Sequence, residues 1–136
     1  MLHDKIKKYA CRKDLNCAGA ILSAVIEEYD LKIDPEILNA TAPMGGGNNI
    51  EEFCGAINGC VMVLGLLFNK DEPYLSGNMK RITQEFFAEF KTEYDTVICR
   101  DLKKTKLEKE TCSETVVPRV GEILDRVIRR ELERKK

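Results

Sequence analysis

The chain has 136 residues, of which 43% are hydrophobic and 33% are charged, and its 22 basic and 23 acidic residues give a net charge of -1. This composition excludes a disordered or fibrous chain, and the length suits one domain built around one core. A net charge near zero also excludes a uniformly basic protein that wraps nucleic acid. We therefore expect a single helical domain over residues 1–136 and no nucleic-acid partner.

Helical periodicity and capping signals mark three helices in the first third of the chain. Apolar residues recur at helical spacing over residues 2–10. A second helix is predicted from Asp14 or Asn16, both good capping residues, to about Tyr29. The Asp-Pro-Glu sequence at 34–36 predicts a short third helix, because Asp caps a helix and Pro favours its first position.

The most apolar segment follows a glycine-rich turn. Asn48 or Asn49 is predicted to cap a helix over residues 50–68, which is apolar nearly all round, as is typical of a buried central helix. Gly55 and Gly59 lie four positions apart on it. Each glycine costs about 1 kcal/mol relative to alanine in a helix. We therefore expect another backbone or a reacting group to approach closely at these glycines.

The second half of the chain predicts two longer helices. One is amphipathic over residues 78–98, and a lysine-rich connection over 103–109 follows it. The Thr-Cys-Ser-Glu sequence at 111–114 fits a capping box that starts the last helix, and Pro118 should kink that helix or delay its start. The predicted fold class is all-α, a compact bundle of five to six helices with a buried central helix near residues 50–68.

The chain has no predicted membrane segment and no predicted signal peptide. The best apolar run, over residues 56–68, falls short of the ~20 residues that a membrane span needs. The first eight residues carry charge but no apolar stretch behind them. We expect no membrane insertion and a cytoplasmic location.

Six cysteines are therefore unusual, because a reducing compartment disfavours a static disulfide framework. They are Cys11, Cys17, Cys54, Cys60, Cys99 and Cys112. No Cys-x-x-Cys sequence occurs, which excludes thioredoxin-type, zinc-ribbon and ferredoxin spacings. Redox chemistry, metal binding by cysteines from separate helices, and core packing stay open.

Four of the cysteines lie at predicted helix ends, where the helix dipole and nearby cations can lower a thiol pKa. They are Cys17, Cys54, Cys99 and Cys112, although at Cys54 the charges of Glu51 and Glu52 and burial in an apolar helix should raise the pKa instead. Arg100 and the lysines that follow it should favour thiolate at Cys99 and Cys112, so we predict that at least one of these two alkylates faster at pH 7 than a free peptide thiol. The glycine-rich turn at 45–47 is interpreted as a helix terminator, with a thiol-supporting or anion-binding loop as the alternative.

Small residues flank Cys17 and Cys54, namely residues 18–20 after the first and Gly55 and Gly59 after the second. Because small residues let backbones approach, we predict that these two cysteines lie close across two packed helices. Cys54 is the candidate functional centre, since it alone lies in a glycine-bearing stretch of an apolar helix. Cys11 and Cys60 are interpreted as structural, since Cys packs well as a small hydrophobe.

Residues 54–59 read Cys-Gly-Ala-Ile-Asn-Gly, with one helix-end cysteine before them and two after. On this pattern the chain resembles the family of redox-active proteins that carry Cys … Cys-Gly-Ala-x-x-Gly … Cys … Cys, over about residues 14–130. The resemblance implies redox activity carried by the four cysteines in order. Cys11 and Cys60 fall outside the pattern.

Two functions follow for the same four cysteines. In the favoured one, the chain is a thiol–disulfide redox protein, and whether it acts as an oxidoreductase enzyme stays open. In the alternative, Cys17, Cys54, Cys99 and Cys112 hold zinc, copper or an iron–sulfur cluster. The expected partner is a redox protein or a small-molecule substrate that the sequence does not name. The sequence leaves open disulfide pairing and the formation of homo-oligomers.

Overall fold

A computed structural model of the chain describes residues 2–69, 77–105 and 111–134. Within these ranges it contains seven α-helices and no strand, so the predicted all-α class is confirmed. The helices are α1 (Leu2–Ala10), α2 (Cys17–Glu28), α3 (Glu36–Ala40), α4 (Gly55–Phe68), α5 (Gly77–Glu93), α6 (Cys99–Leu102) and α7 (Val116–Arg134). The helix that was not expected is the single-turn α6. The part of the lysine-rich connection from Lys106 to Lys109 lies outside the described residues.

Helices α1, α2, α4, α5 and α7 share one core of aliphatic and phenylalanine side chains. Helix α2 lies between α1 and α4 and buries every residue from Ala18 to Val25. It meets α4 closely at Gly59, where a Cβ atom would lie 3.0 Å from the Ala18 carbonyl oxygen. The close backbone approach predicted for this glycine is therefore present. None of the helices in the described ranges is long and apolar enough to cross a bilayer.

Ion pairs hold α5 and α7 together along their exposed edges. Arg119 binds Glu93 with two hydrogen bonds of 2.5 and 2.6 Å, and Arg134 donates to Glu85 at 2.9 Å. The apolar faces of both helices turn toward the core, so the charged residues form a ladder outside it.

Helix α4 begins at Gly55 rather than at Ile50, so the prediction that Asn48 or Asn49 caps it was wrong. Both asparagines adopt a left-handed backbone, with φ values of 59° and 64°, and two glycines before them do the same. Asn is one of the few residues besides Gly that tolerate this conformation. Residues 46–49 thus form a tight left-handed turn within the segment 45–51, called here the glycine-rich turn, and Cys54 takes the N-cap position of α4.

Helix α5 also ends earlier than predicted, at Glu93 instead of residue 98. An isolated antiparallel bridge pairs Phe53 with Ile98. The Cys54 N–H donates to the Val97 carbonyl at 2.9 Å. These hydrogen bonds join segments far apart in sequence, so helical periodicity gave no sign of them.

The predicted capping box before the last helix is present. The Thr111 side chain accepts from the Glu114 N–H at 3.2 Å, and the Glu114 carboxylate accepts from the Thr111 N–H at 3.4 Å. The helix itself begins only at Val116, with Pro118 in its first turn, where a missing N–H costs no helical hydrogen bond. The delayed start that Pro118 predicts is confirmed, and Cys112 lies in the turn before α7.

Candidate functional site

A cavity of about 240 Å³ lies where the starts of α2, α4 and α6 meet the turn before α7. All four cysteines singled out at predicted helix ends line it, and we call it the cysteine cavity. Its walls are Asn16, Cys17, Gly46, Cys54, Gly55, Ala56, Cys99, Leu102, Lys103, Cys112, Ser113, Val116 and Val117. Four separate parts of the chain therefore each contribute one thiol.

Asn16 fixes the place of Cys17 by joining the start of α2 to the segment before the glycine-rich turn. Its side-chain oxygen accepts from the Gly19 N–H at 2.8 Å. Its amide group donates to the carbonyls of Thr41 and Ala42 at 2.9 and 3.0 Å. Asn16 thus caps α2 and at the same time binds the segment at Thr41 and Ala42, which fixes the position of the next residue, Cys17.

Gly55 leaves the space that the Cys17 sulfur occupies. A Cβ atom on Gly55 would lie 2.5 Å from the Cys17 Sγ and 2.5 Å from the Met44 carbonyl oxygen. Gly55 and Gly59 of α4 thus have different roles, because Gly59 admits a helix backbone and Gly55 admits a thiol. The predicted Cα separation of Cys17 and Cys54 stays a prediction, but Cys17 does lie against the residue next to Cys54.

The backbone bridge between residues 52–54 and 97–99 positions Cys54 and Cys99. Side chains alternate between the two sides of paired segments, so Phe53 and Ile98 share one side, while Cys54 and Cys99 share the other. Both cysteines are buried, with 6% and 9% of their surfaces exposed. Gly47 makes room here, because a Cβ on it would lie 2.6 Å from the Cys99 Cβ.

Burial dominates the acidity of the two cysteines that begin α2 and α4. It raises the pKa of the Cys17 thiol, although backbone N–H groups of Gly46 and Ala18 donate to the sulfur and oppose the rise. It raises the pKa of Cys54 to about 11, against N–H donors from Ile57 and Ala56. Both cysteines are therefore protonated at neutral pH. The thiol-supporting interpretation of the glycine-rich turn gains a specific contact in the Gly46 N–H.

The cations next to Cys99 are held by acidic residues at the end of the glycine-rich turn. Arg100 pairs with Glu52 at 2.9 Å, and Lys103 pairs with Glu51 at 2.8 Å. A helix that began at Ile50, as predicted, would place Glu51 and Glu52 in its first turn, near Cys54. They lie instead across from α6, because the helix starts after them.

The two remaining cysteines lie outside the cavity wall. Cys11 is exposed after α1, and Cys60 is fully buried in the core face of α4. Burial raises the pKa of Cys60 well above the usual value for a thiol. None of the six cysteines forms a disulfide bond in the structure.

Sequence reasoning missed several residues of the cavity. Asn16 was recognised only as a helix cap, and Lys103 only as one of several lysines expected to favour thiolate at Cys99 and Cys112. Ser113 beside Cys112 carried no signal at all. Within the three described ranges, no group of three or more His, Cys, Asp or Glu side chains is arranged to hold a metal ion.

A family model described as "Putative redox-active protein (C_GCAxxG_C_C)" matches residues 15–127. The chain belongs to this family. The match includes all four cysteines of the cavity and also Cys60, while Cys11 precedes it. The pattern in the family's description places glycine before cysteine, whereas this chain reads Cys-Gly-Ala-Ile-Asn-Gly over residues 54–59. No curated protein and no solved structure matches the chain.

Proposed function

We propose that this member of the family is a thiol–disulfide redox protein and that the cysteine cavity is its reaction site. The observation that carries the proposal is the convergence of four cysteines, from four separate parts of the chain, on one small cavity. Its cytoplasmic location stays a prediction from the sequence.

Exposure separates the four cysteines into two pairs. Cys17 and Cys112 are half-buried and lie within reach of a molecule at the cavity mouth, whereas Cys54 and Cys99 are buried. A folded partner cannot bring its own sulfur to a buried thiol, since the three sulfurs of an exchange reaction must meet. Electrons from Cys54 or Cys99 therefore leave the protein through Cys17 or Cys112.

The proposed reaction is the reduction of a disulfide by two cavity thiols. The thiolate of Cys112 attacks one sulfur of the substrate disulfide, the sulfur–sulfur bond of the substrate breaks, and the first thiol leaves with a proton from solvent. A second cavity thiol loses its proton and attacks the sulfur of Cys112, which releases the second substrate thiol. The substrate gains two electrons and two protons, and the protein loses the same number as its disulfide forms.

Raised pKa values suit Cys17 and Cys54 to the second step of this reaction. Because burial holds them protonated, oxidants in solution react with them slowly. A mixed disulfide formed inside the cavity brings the electrophilic sulfur to them. The cavity can then complete the exchange before water or another thiol intervenes.

The experiment is a titration of the fully reduced protein with 2-hydroxyethyl disulfide without oxygen, followed by mass mapping of the bridges. We expect pairs of thiols to be lost from the four cavity cysteines while Cys11 and Cys60 stay free. The Cys54→Ser variant should lose reversible cycling of the pair that contains it. The matched control is Cys60→Ser, the same substitution in the same helix but outside the cavity wall, and it should cycle normally.

Two results would overturn the proposal. One is wild-type redox behaviour in Cys54→Ser, together with bridges that include Cys11 or Cys60 as often as the cavity cysteines. The other is a stoichiometric metal in the reduced protein, found by elemental analysis, that Cys54→Ser lacks and that prevents disulfide formation. The second result would establish the metal-binding alternative in its place.

A further inference from the structure

Among the described residues that line the cysteine cavity, Lys103 alone carries a charge. It follows α6 directly, four residues after Cys99. The other walls are thiols, small residues, aliphatic side chains and two neutral polar groups. Its ammonium group is therefore the one formal charge that the cavity wall itself offers to a thiolate.

Lys103 is at the same time bound to the end of the glycine-rich turn. Its Nζ lies 2.8 Å from a carboxylate oxygen of Glu51. Glu51 has a left-handed backbone, with a φ of 56°, which is uncommon for a residue with a side chain. Arg100 donates to the Glu51 carbonyl at 3.4 Å and pairs with Glu52, so the backbone that carries the Glu51 carboxylate is held from the same side.

The charges agree with this geometry. The pKa of Lys103 lies above the usual lysine value, first because Glu51 accepts its hydrogen bond and then because of the negative charge on Cys99, Glu51 and Cys112. Lys103 in turn holds the pKa of Glu51 below its usual value. Both partners of the pair are ionised at neutral pH, and the lysine is sensitive to charge on two of the cavity thiols.

We propose that Lys103 exchanges between the Glu51 carboxylate and a thiolate at Cys99 or Cys112, and that Glu51 thereby controls how reactive these two cysteines are. The inference rests on the proposed function for its use in disulfide exchange. Lys103 acts here through the thiols and is a positioning residue. Glu51 competes with the thiolate for the same ammonium group.

Other titratable groups also face the two cysteines. Cys17 lies at the start of α2, Cys54 at the start of α4, and Tyr94 just after α5. Burial raises the pKa of all three, so they are uncharged at neutral pH.

The test is the rate of alkylation of each cysteine by iodoacetamide, followed by mass spectrometry across pH 6–10 in the reduced protein. Iodoacetamide is neutral, so the rate follows the thiolate fraction. Lys103→Gln should slow Cys99 or Cys112, and Glu51→Gln should speed the same residue, each by about 1.5- to 5-fold at pH 7, as a half-exposed pair screened by solvent allows. The midpoints of the pH profiles should move in opposite directions.

Lys104→Gln is the matched control, because it removes the same charge one residue away. Lys104 is 77% exposed, lies 3.9 Å from Asp101 and does not line the cavity. It should leave the alkylation profiles unchanged. In the double variant with Lys103→Gln, the effect of Glu51→Gln should shrink, since the carboxylate acts through the lysine.

The failures of the two proposals are distinguishable, because alkylation needs no redox cycling. Equal profiles for wild type and Lys103→Gln, or an undiminished effect of Glu51→Gln in the double variant, would overturn the role of Lys103 and leave the redox proposal standing. Shifted profiles in a protein that forms no reversible disulfide would support the role of Lys103 and remove the proposed function.

Discussion

At the scale of single residues, Cys54 and Gly55 have different roles in the cysteine cavity: Cys54 supplies a thiol, and Gly55 leaves space for another. Cys54 occupies the N-cap of α4 without a side-chain capping hydrogen bond; burial raises its pKa, and the nearby backbone N–H groups of Ile57 and Ala56 oppose that rise. Gly55 has no side chain, and the Cys17 sulfur fills the space next to it. The proposed disulfide exchange depends on both positions, since displacement of the Cys17 sulfur would remove a cavity thiol that lies next to Cys54.

Substitution of Gly55 by alanine should therefore damage the site and the fold together. The new methyl would lie 2.5 Å from both the Cys17 sulfur and the Met44 carbonyl oxygen, so one of them must move. We expect a loss of about 1–3 kcal/mol in the free energy of unfolding, the usual cost of overpacking. Urea denaturation measures this loss, and alkylation of Cys17 should change in rate as its sulfur is displaced.

Gly65→Ala in the same helix is the control. No atom lies within 4 Å of the position that its Cβ would take, so the substitution should stabilise the helix by about 1 kcal/mol. Similar stabilities for the two alanine variants would show that Cys17 does not need the space at Gly55.

At the scale of helices and turns, the sequence predicted the helix starts that are stabilised by contacts between residues close in sequence. Asn16 caps α2 as expected, and the Asp34 side chain accepts from the Glu36 N–H at 2.9 Å at the start of α3. The start of α4 was wrong because the two asparagines of the glycine-rich turn adopt left-handed backbones. Such a conformation is stabilised by its surroundings, and a single sequence cannot distinguish it from a helix cap.

The pairing of residues 52–54 with 97–99 explains the rest of what sequence reasoning missed. It ends α5 early, it adds α6, and it brings Cys54 and Cys99 to one side of a bridge. These hydrogen bonds join positions about a third of the chain length apart, and no periodicity within one segment indicates such a contact. The four cysteines could be selected from the sequence, whereas their shared cavity depends on this non-local pairing.

The pairing of α5 with α7 gives a prediction at the same scale. Glu131 on α7 has only 3% of its surface exposed and accepts from Arg81 on α5 at 2.8 Å. Arg81→Met keeps most of the side-chain volume but leaves this buried carboxylate, among the residues that the structure describes, only the 3.4 Å hydrogen bond from Arg134. We expect a loss of about 1–2 kcal/mol in unfolding free energy, less than for a fully buried pair because Arg81 is partly exposed.

Arg12→Met is the control, because it tests whether burial of the ion pair or its length determines the loss in unfolding free energy. Arg12 binds Asp14 at 2.6 Å, a shorter contact, but both side chains are more than half exposed. We expect no measurable change in urea denaturation. A loss as large as that of Arg81→Met would contradict the assignment of the cost to the buried carboxylate.

At the scale of the whole molecule, the cysteine cavity exists only when the domain is folded. Its thiols come from the starts of α2, α4 and α6 and from the turn before α7, and no two of them lie within ten positions in sequence. Burial raises the pKa of Cys17 and Cys54, so the ionisation of these two thiols is coupled to folding. Unfolding returns them to water, where each loses its proton more readily.

This coupling predicts a loss of stability at alkaline pH that depends on Cys54. Its pKa is about 11 in the folded protein against a usual value of 9.0, so above pH 9 the unfolded chain releases a proton that the folded protein keeps. The stabilisation is complete below pH 9 and is lost as the pH rises toward 11. By pH 10 the loss from this residue should reach about 1.4 kcal/mol, which corresponds to one pKa unit.

Urea denaturation at pH 8 and pH 10 with reductant present measures this loss of stability. Lysine and tyrosine ionisation also changes over this range, so the comparison is with Cys54→Ala, which should lose less stability than wild type by that amount. If the two proteins lose stability equally, then Cys54 ionises in the folded state as an exposed thiol does, and the cavity is open to water at α4.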